Sequence, residues 1–113
     1  RVSLEQLLRW DPAVILTQDA GFASSVRHDR DWRSVRAVRE GRVLLAPALP
    51  FGWLDGPPGM NRLMGLRWLL QRLHPDHVVW RTASSLDDMV QSFYQLFYGK
   101  ALSAAQRREL LTA

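Results

Sequence analysis

The sequence contains no cysteine, little lysine and no long hydrophobic run. The absence of cysteine excludes disulfides and thiolate metal sites. A helix that crosses a bilayer needs about 20 consecutive apolar residues, and no run here approaches that length. A signal-peptide pattern is missing as well. What is present is an apolar fraction of 47% in 113 residues, with a net charge of +4 carried almost entirely by arginine. This composition is typical of one small globular domain, residues 1–113.

The residues that could perform chemistry do not form a catalytic pattern. No serine lies in a nucleophile elbow, and no glycine-rich loop has the spacing of a phosphate-binding motif. The three histidines, His28, His74 and His77, lack the i, i+4 spacing of a helical metal pair. Asp87 and Asp88 are adjacent, so a helix would not bring them face to face. We therefore expect that the protein is not an enzyme and that it has neither a metal site nor an intrinsic cofactor.

Two continuous apolar runs, Ala13–Thr17 and Val43–Ala46, predict the strands of an α/β fold. Neither run alternates in polarity, which is typical of a parallel strand buried on both faces. Helical spacing surrounds them, first before Pro12 and then over Asp31–Val38. We therefore expect a short, mostly parallel sheet flanked by helices, with the two runs as neighbouring parallel strands.

Two longer helices are predicted in the second half of the chain. The first runs from about Asn61 to His74, and its core stripe is expected to be Leu63, Leu66, Leu69, Leu70 and Leu73. The second begins at the capping residue Ser85, and its buried face is expected to be Met89, Phe93, Leu96 and Phe97. Tyr94 and Tyr98 lie one turn apart on this helix. They are interpreted as ferric-iron ligands or, more commonly for such a pattern, as a half-buried aromatic ridge.

Residues 47–61, here called the aromatic loop, connect the second strand to the long helix and are dense in proline and glycine. The loop also carries Phe51 and Trp53. Open α/β sheets bind ligands at loops that follow the carboxyl ends of parallel strands. Two interpretations follow: the aromatics form a ligand-binding wall, or they plug the core of a connecting loop.

Arginine recurs every third residue in the first half of the chain, at Arg27, Arg30, Arg33, Arg36, Arg39 and Arg42. Acidic residues interrupt the run at Asp29, Asp31 and Glu40. A nucleic-acid surface would favour a less diluted patch, so a solvated face is the first interpretation. The alternative function that this pattern leaves open is a small basic nucleic-acid-binding or regulatory domain using Arg27–Arg42.

Short segments of the chain occur in a distinctive order and spacing: Val2–Leu8, Asp11–Leu16, Trp32, Ala37–Val43, Pro47, Phe51–Trp53, Pro57–Pro58, Asn61–Leu63 and Gly65–Leu66. In this order they resemble the carboxyl-terminal lobe of the substrate-binding proteins of ABC transporters for iron-siderophores, haem and cobalamin. The resemblance covers nearly all of the chain. It implies a Rossmann-like lobe of the class III periplasmic-binding-protein type, in which ligand binds between two lobes joined by a long helix.

The resemblance also implies what accompanies the chain. Residues 1–113 would be most of one lobe, with the amino-terminal lobe and the linking helix absent, and the chain begins without Met. We expect such a fragment to associate with the missing lobe or with another copy. The implied function is capture of an iron chelate, haem or cobalamin and delivery to an ABC permease, in the periplasm or on a lipid anchor, with no nucleic acid as partner. An α/β enzyme fragment with its catalytic residues elsewhere is a further alternative.

The resemblance assigns site residues as well. Cobalamin-binding relatives place a ligand-packing tryptophan at the position that Trp53 matches, so Trp53 is expected to be at least partly exposed. Phe51, Asp55 and Arg62 complete the implied ligand wall, because an aromatic face suits a flat chelate and arginine suits anionic oxygens. Glu5, at a helix start, matches the exposed glutamate by which family members dock on the permease.

Overall fold

A computed structural model of the chain describes residues 2–55 and 59–112. Packing divides the chain into two compact units, Arg1–Ala46 and Pro47–Ala113. The single-domain expectation stays a prediction.

The first unit contains the two predicted strands. Helix α1 spans Leu4–Trp10 and strand β1 spans Ile15–Thr17. Helix α2 covers Ala20–Ser25, helix α3 covers Arg36–Arg39, and strand β2 covers Val43–Leu45. The strands pair in parallel, in the register Ile15↔Val43, Leu16↔Leu44 and Thr17↔Leu45. The predicted α/β fold with neighbouring parallel strands is therefore confirmed.

The expectation that both strands are buried on both faces is wrong for β1. Ile15 packs against the core, whereas Leu16 is exposed. Successive side chains of a strand point to opposite faces of the sheet, and helix α2 packs on the sheet in this unit. The uniform apolar run therefore has one face against this core and one face in solvent.

The predicted helix over Asp31–Val38 is also wrong, since only Arg36–Arg39 is helical. Val35 has an extended backbone (φ −72°, ψ 127°), which interrupts the helix. The Asp11 carboxylate then accepts a hydrogen bond from the Arg36 backbone N–H at 2.7 Å, and so caps this short helix from 25 residues away. Val35, Ala37 and Val38 are nevertheless buried and form the core with Val26 and Val43, and the partly buried Trp32 packs against it.

The arginine pattern does not make one face of a helix. Arg36 and Arg39 lie on the four-residue helix α3, and the preceding arginines lie on turns. Arg36 pairs with Glu40, at 3.0 Å between Nε and Oε1, and Arg39 donates to the Ser34 carbonyl at 2.9 Å. This arrangement favours the solvated-face interpretation over a phosphate-binding stripe.

The second unit begins with the aromatic loop and is otherwise helical. Helix α4 spans Asn61–Leu73, a 3₁₀ helix spans Val78–Arg81, helix α5 spans Leu86–Tyr98 and helix α6 spans Ala104–Thr112. Helix α5 packs on both α4 and α6. At the start of α5, Asp87 forms an ion pair with Arg107 of α6, at 2.8 Å.

The expected core stripe of α4 is wrong, because the helix is rotated by about half a turn from it. The buried residues are Asn61, Met64, Gly65 and Trp68, at the i, i+3, i+4 and i+7 spacing of one helix face. Among the leucines, Leu63, Leu66 and Leu70 are exposed, with Leu63 at 60% and Leu66 at 59%. Helix α4 is therefore apolar on two opposite faces, and leucine content alone does not distinguish them.

The expected face of α5 is partly wrong in the same way. Phe93 is buried as expected, but the residues that share its face are Val90 and Tyr94. Leu96 and Phe97 are exposed. The buried face of α5 thus includes a tyrosine that the apolar pattern did not count.

Candidate ligand-binding site

Trp53 is fully buried, at 0% exposure. The expectation of partial exposure is therefore wrong, and the core-plug interpretation describes this side chain. The physical reason lies in the loop backbone, which turns back so that the Trp53 N–H donates to the Pro47 carbonyl at 3.0 Å. The indole then points into the helical unit, where its Nε1–H donates to the Tyr94 hydroxyl at 3.3 Å.

The aromatic loop is held to two helices by side-chain hydrogen bonds. Asn61, at the start of α4, donates from Nδ2 to the Phe51 carbonyl at 3.1 Å. Tyr98 on α5 donates to Asn61 Oδ1 at 2.6 Å. One turn earlier on α5, Tyr94 donates to the Leu49 carbonyl. In the described part of the chain, every buried side-chain nitrogen or oxygen has a hydrogen-bond partner. Backbone carbonyls of the loop are therefore fixed at two positions.

Gly65 allows the loop to lie directly on α4. A Cβ atom at this position would be 2.0 Å from the Trp53 carbonyl oxygen and 2.7 Å from its carbonyl carbon. Real Cβ atoms do not approach backbone this closely, so only glycine fits. The loop backbone and the helix backbone are thus in contact beside the buried indole.

Tyr94 and Tyr98 form the aromatic ridge rather than an open pair of ligands. Their ring centroids are 5.4 Å apart, and Tyr94 is buried. Burial raises the pKa of the Tyr94 phenol; the hydrogen bond from Trp53 lowers this pKa and the neighbouring Tyr98 raises it. The phenol is therefore protonated at neutral pH, as its donation to the Leu49 carbonyl requires. A buried, protonated phenol does not suit ligation of ferric iron.

The exposed side chains of the aromatic loop and of the start of α4 are neighbours in sequence of the buried Trp53 and Asn61. Phe51 is 52% exposed, although its carbonyl is bound by Asn61. Arg62 follows Asn61 in the first turn of α4 and is exposed, and Asp55 is exposed as well. Among the described residues, no side chain caps the start of α4 at Met60. The Arg62 and Leu63 backbone N–H groups instead donate to the Gly59 and Met60 carbonyls, so the exposed Arg62 guanidinium is the group in this turn that favours an anion.

Of the four residues predicted for the ligand wall, three are exposed and one is buried, and their role in ligand binding stays a prediction. Phe51, Asp55 and Arg62 are exposed, and Trp53 belongs to the core. Sequence reasoning did not assign a role to Asn61. The signal that could have found it is a polar residue at the i, i+3, i+4, i+7 spacing of the face that Trp68 buries.

Glu5 lies where the sequence predicts it. The side chain is exposed in the first turn of α1, and it approaches Arg9 at 3.6 Å. The start of a helix favours a carboxylate. Its predicted contact with a permease stays a prediction.

Metal-binding groups and membrane-spanning helices were also sought among the described residues. Within residues 2–55 and 59–112, no group of three or more His, Asp or Glu side chains is placed to hold a metal ion. None of the helices in this part of the chain is long and apolar enough to cross a membrane.

Comparisons with known proteins relate the chain to parts of longer binding proteins. No protein-family model matches it. The molybdate-binding protein MolA of Haemophilus influenzae is 36% identical over 101 residues, which are 87% of this chain and 27% of that protein. An ABC transporter solute-binding protein from Sulfurospirillum deleyianum matches 100% of the chain and 34% of its own, with a TM-score of 0.85 and 34% identity.

A periplasmic solute-binding protein from Veillonella parvula matches 99% of the chain and 34% of its own, with a TM-score of 0.82 and 25% identity. The chain thus spans about a third of the length of these relatives. Its short parallel sheet flanked by helices is the architecture found within these solute-binding proteins. The relatives are named as binding proteins and not as enzymes.

Proposed function

We propose that the chain is one lobe, the carboxyl-terminal one, of the substrate-binding component of an ABC importer. The observation that carries this proposal is the match of the whole chain to part of an ABC transporter solute-binding protein at 34% sequence identity. The protein would bind a small solute outside the inner membrane, in the periplasm, and would catalyse no reaction. Lipid anchoring has no support beyond the initial resemblance.

The proposed ligand is a tetrahedral oxyanion of the molybdate type. The relative that shares 36% identity is named as molybdate-binding. One local feature agrees with an anion: the guanidinium of Arg62 is exposed in the first turn of α4. The earlier expectation of an iron chelate, haem or cobalamin loses its main local support, because Trp53 is buried and offers no flat aromatic wall.

Arg62 is the residue expected to matter most for anion affinity. In the full two-lobed protein, Arg62→Gln is expected to raise the molybdate dissociation constant about tenfold to a hundredfold, because a charge-assisted hydrogen bond contributes about 1.5–3 kcal/mol. Isothermal titration with sodium molybdate measures this change.

The matched control is Arg72→Gln, which removes the same charge near the other end of the same helix. We expect its molybdate affinity to equal that of the unsubstituted protein. Equal losses in both variants would show that only the net charge matters, and no loss in either would remove Arg62 from the ligand site.

The proposed partner is an ABC permease, and Glu5 is the proposed contact. Glu5→Arg is expected to reduce solute uptake by cells severalfold while the affinity for molybdate is unchanged, since the introduced guanidinium would repel permease arginines that the Glu5 carboxylate would attract. Glu40→Arg is the control, because it also reverses an exposed glutamate in an i, i+4 pair. Normal uptake with Glu5→Arg would exclude Glu5 from the interface.

A further inference from the structure

Asn61 and Tyr98 form a hydrogen-bonded pair in which the amide is buried and the phenol is half-buried. Asn61 is 3% exposed and faces the core of the second unit. Burying an amide without partners is costly, and an apolar residue would fill this position without that cost. Asn61 instead uses both of its polar groups, the amide to the Phe51 carbonyl and Oδ1 to the Tyr98 hydroxyl.

The bond to Phe51 joins the two exposed groups of the candidate site. Phe51 is held through its own carbonyl, and Arg62 is the residue after Asn61 in α4. Asn61 therefore fixes the backbone that presents the aromatic ring relative to the helix turn that presents the guanidinium. Tyr98 fixes Asn61 in turn, because its hydroxyl donates to Oδ1 and so orients the amide nitrogen toward the loop.

We propose that Asn61 and Tyr98 are positioning residues that hold the Phe51 segment of the aromatic loop against the start of α4, so that Phe51 and Arg62 are preorganised for one anionic ligand. This inference rests on the proposed function, since it takes these two exposed groups as ligand contacts. Preorganisation raises affinity because the ligand does not have to order the loop when it binds.

The informative substitution is Tyr98→Phe, which removes one hydroxyl and keeps the ring. The ring packs on Tyr94 at 5.4 Å and on Phe93 at 6.3 Å between centroids, so the core remains filled. The control is Ser85→Ala, which removes the hydroxyl that caps α5 and accepts from the Asp88 N–H at 3.1 Å. Both variants lose one hydrogen bond on the same helix, but only the first lies in the chain of bonds to the loop.

Two measurements on the full two-lobed protein test the proposal. Hydrogen exchange of peptides covering residues 47–54 is expected to become faster in Tyr98→Phe and to stay unchanged in Ser85→Ala. Titration with sodium molybdate is expected to show an affinity about three- to tenfold lower in Tyr98→Phe, the loss that one hydrogen bond would cause, and normal affinity in Ser85→Ala.

The outcomes distinguish a positioning role of Asn61 and Tyr98 from a merely structural role, and both from a failure of the proposed function. Unchanged exchange in Tyr98→Phe overturns the positioning claim, and so does faster exchange with unchanged molybdate affinity, which would make the pair merely structural. Equal affinity losses in both variants would show a general loss of stability and would also overturn it. If the unsubstituted protein binds no molybdate, the proposed function fails, and the exchange result alone decides whether the pair holds the loop.

Discussion

Gly65→Ala is expected to destabilise the chain by about 3 kcal/mol or more, enough to unfold a marginally stable domain. Alanine in a helix interior ordinarily stabilises by up to about 1 kcal/mol relative to glycine. Here its Cβ would lie 2.0 Å from the Trp53 carbonyl oxygen, and that atom belongs to backbone that cannot rotate away. The steric cost therefore exceeds the helix-propensity gain. Urea denaturation followed by circular dichroism measures the difference.

Gly21→Ala provides the comparison for this prediction. Gly21 also lies in a helix, α2, but the nearest atom to its added Cβ is a side-chain oxygen of Asp19 at 3.1 Å. A carboxylate can shift by a few tenths of an ångström, so we expect a change within about 1 kcal/mol in either direction. Equal stability of Gly65→Ala and the unsubstituted chain would mean that the loop does not lie on α4 as described.

Trp53→Ala is expected to cost about 3–5 kcal/mol of the free energy of unfolding, the range for truncating a large buried aromatic side chain. Trp53 is fully buried, and its Nε1–H donates to Tyr94. The expectation drawn from the resemblance was a partly exposed Trp53 that packs on the ligand, and for such a residue the loss would fall on binding rather than on the fold. Thermal unfolding of the chain measures the loss.

Leu66→Ala is the control, because it truncates a large apolar side chain on the exposed face of α4. Leu66 is 59% exposed, so its truncation is expected to change the free energy of unfolding by no more than about 0.5 kcal/mol. If Leu66→Ala proved as destabilising as Trp53→Ala, the leucine face of α4 would be buried and the sequence-based stripe would be right after all.

The strands show what this sequence predicts well. The runs at Ala13–Thr17 and Val43–Ala46 are short, apolar and separated by helical segments, and β1 and β2 form within them as a parallel pair. The capping residue Ser85 is an equally local signal, and its hydroxyl accepts a hydrogen bond from the backbone N–H of Asp88, three positions later. Features set by neighbouring residues were therefore predictable.

The buried faces of the helices could not be predicted, because packing against segments distant in sequence determines which face of a helix is buried. Helix α4 has leucines on one side and Met64, Gly65 and Trp68 on the other, and the aromatic loop packs on the second side. Gly65 contributes nothing to a hydrophobic periodicity, yet its missing side chain lets the backbone of α4 contact the backbone of the loop at Trp53. Leu63 and Leu66, on the first side, are exposed.

The candidate site likewise contains residues that the sequence could predict and residues that it could not. Arg62, Phe51 and Asp55 could be named from the order of motifs, and all three are exposed. Trp53 matched a ligand-packing position in the resemblance, but the bond from its backbone N–H to the Pro47 carbonyl accompanies an inward-pointing indole. Asn61 could not be assigned, since its partners lie 10 and 37 residues away.

The ligand of the full two-lobed protein tests the central claim most directly. Isothermal titration at one ionic strength would compare sodium molybdate with sulfate, a ferric siderophore, haem and cobalamin. We expect saturable one-to-one binding of molybdate, which Arg62→Gln weakens, and no binding of the three large chelates. Tight binding of a chelate with no heat from molybdate would contradict the oxyanion site, and the absence of binding by any of these solutes would contradict the proposed role in solute capture.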